Sequence, residues 1–195
     1  MSDWVSIALR FGVYLDLMLL FGVALFGLYS FKGPERVSGA VLPFRSIVAG
    51  TAVLGVLVSG ASMVMMASAM SGELDLAQLR PHIEMMVVEM DVGRAWVVRI
   101  VVLVIAGLAM MLNQRAPGFS LLVAAIAGGI ALGSLAWNGH GAMDEGSRRF
   151  WHFTTDILHL LAAGAWLGAL VAFAWMARRD TLQTEESIKL LADRK

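Results

Sequence analysis

FTTDILHLLAAGAWLGALVAFAWMA, residues 153–177, is a run of 25 residues whose only ionisable side chains are Asp156 and His159. A helix that crosses a bilayer needs about 20 mostly apolar residues, so this stretch reads as a membrane span. His152 immediately precedes it. At about 100° per residue, His152, Asp156 and His159 fall within an arc of about 60° and face the same neighbour. Ionisable groups are costly in hydrocarbon and normally point into a helix bundle, where they mark ion or proton pathways. This face is therefore expected to carry the function.

Working back toward the N-terminus, four more stretches qualify as spans: residues 5–31, 47–70, 95–112 and 119–137. The expected fold is an all-α polytopic transmembrane bundle of about five spans. Residues 1–180 form the membrane domain, and 181–195 a charged cytoplasmic tail. The tail has the pattern of an amphipathic helix capped near Thr184, with Glu185 and Ser187 in its first turn. Composition agrees with this reading. Of 195 residues, 58% are hydrophobic and 15% charged, and the mean hydropathy is +0.74, too apolar for an ordinary soluble domain. The formal net charge is zero, which gives no electrostatic basis for a nucleic-acid partner. Without cysteine there are no disulfides, thiolate metal sites or Cys nucleophiles. The N-terminal Met1-Ser2-Asp3-Trp4 lacks the basic region of a cleaved signal, so the first span is expected to be retained.

Orientation follows from Lys/Arg bias. Lys32, Arg36, Arg45, Arg115, Arg178 and Arg179 share one side, and Arg80, Arg94, Arg148 and Arg149 the other. The first side is favoured as cytoplasmic, with the N-terminus out and the C-terminus in. Gly129/Gly133 and Gly164/Gly168 each make a GxxxG, a spacing that lets helix backbones approach closely, and the two motifs are expected to meet. Asp16 and Arg99 are charges inside spans. A structural ion pair between them is the first expectation, and a proton or counter-ion role for Asp16 the second.

With five spans, His82, His140, His152 and His159 all lie toward one membrane face, joined by eight of the thirteen methionines. Imidazole suits copper and zinc, while thioether sulfur selects Cu(I). His82, Met86 and Met90 recur every four residues and on a helix would line one face, a candidate copper entry surface. Met is also flexible apolar filler, so plain packing stands beside that reading. Asp156 suits direct ligation, or accepts a proton from the distal nitrogen of a ligating histidine. His140, at the end of the fourth span, is placed to complete the shell. The structural alternative is an internal Asp–His hydrogen bond that steadies the bundle.

Two segments carry a family resemblance. Gly139-His140-Gly141-Ala142 is followed by DILHLLAAGAWLG over residues 156–168, and Gly93-Arg94-Ala95-Trp96 with Arg99 opens the third span. In this order they resemble the copper resistance D family, CopD, of bacterial inner membranes. The resemblance implies a multi-pass protein that binds copper, as Cu(I) or Cu(II), and moves it across the inner membrane. It also implies a periplasmic copper carrier of the CopC type as partner. His140, Asp156 and His159 are the positions matching the family motif, and Trp166 and Gly168 look architectural. His152, His82, Met86 and Met90 rest on the residue reading alone. Because the family continues beyond five spans, the chain is expected to be a short member or part of a longer one.

No nucleotide-binding GxxxxGK[ST] loop is present. With no nucleophile–base pair either, the chain is not expected to be an enzyme, a copper oxidase being the class left open. Two other readings remain. One is a b-type haem electron-transfer protein with haem between histidines on facing helices, although only His159 lies clearly inside a span. The other is a non-metal assembly or sensor subunit.

Overall fold

The computed structural model describes residues 3–37, 42–138 and 146–192. They form six α-helices, and no strand occurs among them: α1 (Asp3–Ser30), α2 (Phe44–Ser71), α3 (Leu76–Glu89), α4 (Asp91–Ala109), α5 (Pro117–Gly133) and α6 (Gly146–Ala192). Single 3-10 turns follow α1, α4 and α5. Five helical stretches are long and apolar enough to cross a membrane: Trp4–Ser30, Phe44–Ser71, Asp91–Leu112, Pro117–Trp137 and Phe150–Arg179. These are the five expected spans, with ends shifted by at most four residues.

Helices α1, α2, α4 and α5 form a ring in which each packs on the next and α5 closes back on α1. Helix α6 lies outside the ring, mainly against α1 and more lightly against α5. Because lipid tails are as apolar as leucine, close packing of small residues holds such helices together. The inward face of α5 shows this, with Ala124, Ala127, Gly128 and Ala131 buried. A side chain at Gly128 would run into Leu20 and Phe21 of α1.

The two GxxxG motifs do not meet. Gly164 and Gly168 face α1, where a Cβ at Gly168 would fall on the backbone of Gly22 and a Cβ at Gly22 on the Gly164 carbonyl. The α5 pair instead receives branched side chains from α6, with Leu161 beside Gly129 and Ile157 beside Gly133. Two smooth surfaces therefore serve two contacts: backbone on backbone at α1, knob into notch at α5. The expected tail helix is likewise not separate, since α6 runs without a break from Gly146 to Ala192.

Helix α3 occupies the second connection. The Asp75 carboxylate accepts the Ala77 N–H at 3.0 Å and caps its start. Gly72, at φ 77°, ends α2 in the left-handed region where glycine carries no Cβ penalty. Met90 is extended, and the chain folds straight back into α4. The fold-back brings Gly93 against the Met86 carbonyl, where a Cβ would overlap. Gly93→Ala is therefore expected to lower stability by about 1–3 kcal/mol, the usual range for overpacking. Thermal unfolding in detergent checks this, and an unchanged midpoint would refute the contact. At the opposite end of the bundle, the Arg36 guanidinium donates to the Gly27 and Leu28 carbonyls at 3.1 and 2.5 Å, closing the C-terminal end of α1.

Candidate metal site

His152, Asp156 and His159 share one face of α6, and all three are exposed. The buried seam of that helix runs through Gly164, Gly168 and Ala172. At about 100° per residue the centre of this seam lies about 150° round the helix from the centre of the trio. The expectation that these groups point into the bundle is thus corrected: they point away from it, together with Trp166, which is 70% exposed. The cause is the tight glycine contact with α1, which fixes the rotation of α6. His152 to His159 covers about 10 Å along the axis at 1.5 Å per residue. One ion cannot touch all three from a single straight helix. Among the described residues, no three His, Asp or Glu side chains come together to enclose an ion.

His140 lies outside the described residues. Next to it in sequence, the Trp137 ring packs edge-on against Phe153 at 4.9 Å, which holds the end of α5 at the start of α6. The two histidines of the fifth span, His152 and His159, are on one helix.

His82, Met86 and Met90 do not form the single exposed stripe that their spacing suggested. His82 is half-buried on α3, with its Nδ1 3.3 Å from the Gln78 carbonyl oxygen. Met86 is fully buried with Met63, Ala67 and Leu79. Met90 lies beyond the helix end, packed against that same cluster with Met66 and Trp96. Met86→Leu conserves volume and removes only the sulfur, so it separates packing from ligation. The expected result is an unchanged fold by thermal unfolding, and any accompanying loss of copper would identify the thioether as a ligand.

The Gly93–Arg99 segment works as a set of ties between helices. Trp96 Nε1 donates to the Ser59 carbonyl of α2 at 2.9 Å. Arg94 contacts Asp91 at 3.6 Å and the Val88 carbonyl at 3.1 Å. Buried Arg99 donates through Nε to Ser134 Oγ at 2.8 Å, just past α5. The expected Asp16–Arg99 pair therefore does not form, because the 3-10 turn at the end of α5 offers the guanidinium a hydroxyl and a carbonyl. Asp16 is 4% exposed, and neither of its carboxylate oxygens has a hydrogen-bond partner. The Ser59 and Ser62 hydroxyls of α2 are also buried without partners. These two serines were not singled out by the sequence, because the second span also carries Ser46, Thr51, Ser68 and Ser71. A concavity of about 780 Å³ bordered by Phe21, Ile126, Ile130 and Ile157 is mostly apolar and suits lipid or a further helix better than an ion.

Comparison with known proteins adds the following. Residues 1–151 match the family model described as copper resistance protein D-like, N-terminal domain. The chain is 55% identical over 192 residues to copper resistance protein D of Pseudomonas syringae pv. tomato, covering 98% of this chain and 62% of the relative. It is 27% identical over 169 residues to the inner membrane protein YebZ of Escherichia coli K12, covering 87% and 57% respectively. The chain thus spans about three fifths of the length of these relatives. No solved structure matches it.

Proposed function

The chain belongs to the copper resistance protein D-like family, and from that membership we propose that it takes up copper at the histidine-bearing end of the bundle. This end is the periplasmic side of the bacterial inner membrane, with the N-terminus out. The basic residues Lys32, Arg36, Arg45, Arg115, Arg178 and Arg179 at the opposite end support that orientation. The outward face of α6 is the observation that carries the reading. It presents two imidazoles and a carboxylate in or beside the lipid, where such groups persist only when they have a task or a partner. Neutral imidazole and carboxylate are competent copper ligands, and Asp156 is spaced to orient His152 or His159 as well as to ligate. His140, in the family-motif segment between the fourth and fifth spans of the sequence, is a further ligand. The donors missing from α6 come from a second surface, either more membrane helices or a periplasmic copper carrier of the CopC type. The chain acts as a carrier rather than an enzyme.

Metal analysis and an absorption spectrum of the detergent-purified protein test this proposal. Copper should co-purify, or bind on addition, in a fixed ratio to protein. A Soret band instead of copper would replace the reading with haem-based electron transfer.

A further inference from the structure

Asp16 is the one acidic residue within the buried interior of the described bundle, and the α6 site makes no use of it. It lies twelve residues from Trp4, and Ser59 lies twelve residues from Ser71 at the matching end of the antiparallel second span. Both are therefore about 18 Å deep at 1.5 Å per residue. A Cβ at Gly55 would sit 2.6 Å from Asp16 Oδ2 and 3.2 Å from Leu103, so the carboxyl faces the α2–α4 seam. A cleft of about 170 Å³ opens on the histidine side of Asp16, lined by Arg10, Val13, Tyr14, Ser62, Met66 and Arg99, and Asp16 and Ser59 lie beneath it rather than in its wall. Val13, Ser62 and Arg99 stand one helical turn toward the histidine end from Asp16, Ser59 and Leu103, respectively.

We propose that Asp16 is a proton-binding site served from the histidine-bearing side, exchanging its proton through this cleft past the Ser62 and Ser59 hydroxyls. The bond that forms and breaks is the O–H of the Asp16 carboxyl, and the proton passes to water in the cleft and returns from it. A carboxylate without a partner is costly at this depth. Arg99 of α4 and Arg10 of α1 are cations at the cleft wall, and Tyr14 is the other titratable group there. Helix α2 supplies hydroxyls only at this level, α5 contains no titratable residue, and the acid and histidines of α6 lie on its far face. Hydroxyls without partners suit a relay, because each can donate and accept. A proton fits better than a hard metal cation, which would need six or more oxygen ligands. The proposal is independent of where copper binds.

The test uses the unmodified chain. An apolar carbodiimide such as dicyclohexylcarbodiimide reacts with protonated carboxyl groups inside hydrocarbon, and peptide mapping locates the adduct. The expected result is modification of Asp16, at a rate that falls as the pH is raised and the carboxyl loses its proton. Reconstituted in one orientation, the protein should gain label when only the histidine side is acidified. No adduct on Asp16, or an adduct independent of pH, would overturn the proposal. Label that responds only to the opposite side would overturn the route. Asp156, labelled by a water-soluble carbodiimide in the same protein, confirms that the peptide mapping recovers a carboxyl adduct.

Discussion

Replacing Gly168 with leucine is expected to release α6 from the bundle. At this position the obstacle is backbone: a Cβ would fall on the carbonyl carbon and Cα of Gly22, and the reciprocal Cβ at Gly22 would fall on the Gly164 carbonyl. A flexible side chain can swing aside from such an intrusion, whereas a helix backbone can only retreat as a unit. Contact along the whole seam is then lost, including the edge-on Phe26–Phe173 pair at 5.4 Å. Because van der Waals packing is the main force between helices in lipid, the cost should reach or exceed about 3 kcal/mol, the upper end of ordinary overpacking. Thermal unfolding in detergent, with protease sensitivity of the α5–α6 connection, reads this directly. Gly60→Ala is the control, since nothing lies within 4 Å of a Cβ there. It should be neutral or stabilising by up to about 1 kcal/mol, because alanine is the better helix former. A Gly168→Leu protein that melts with the parent would refute the seam.

The second large effect concerns copper. Asp156→Ala and His159→Ala should each weaken copper binding by about tenfold to a hundredfold, the range seen when even the groups that orient metal ligands are removed. Both residues are exposed on α6, so neither change opens a cavity, and the melting temperature should hardly move. That separation identifies ligation, because a purely structural residue would shift stability first. Equal copper stoichiometry and affinity in both variants would remove α6 from the site and leave the family relationship without its proposed residues. His140→Ala belongs in the same series, as the motif position contributed from the end of the fourth span.

The residues legible in the sequence were those whose meaning is local. Hydropathy placed every span, because a run of apolar residues must be satisfied by lipid wherever it lies in the bundle. The sequence marked residues 71–94 as a polar connection, and neither the helix α3 within it nor the burial of Met86 against Met63 was expected, since both depend on how that segment folds back on α2 and α4. Asp16 and Arg99 illustrate the same gap. Opposite charges in two spans suggest a pair, and the turn after α5 supplies Arg99 with a partner in Ser134.

The α6 trio shows where one kind of information ends and the other begins. That His152, Asp156 and His159 share one helical face at a membrane boundary is written in the segment itself, because helical period and hydropathy are local properties. The same segment carries Gly164 and Gly168 as a smooth strip on nearly the opposite face. That this strip meets Gly22 of α1 rather than Gly129 and Gly133 of α5 follows from the packing of the folded bundle. Gly22 belongs to no GxxxG motif, and its fit depends on the helix that faces it. That one backbone contact sets the rotation of α6, and the rotation turns the trio outward, away from the bundle.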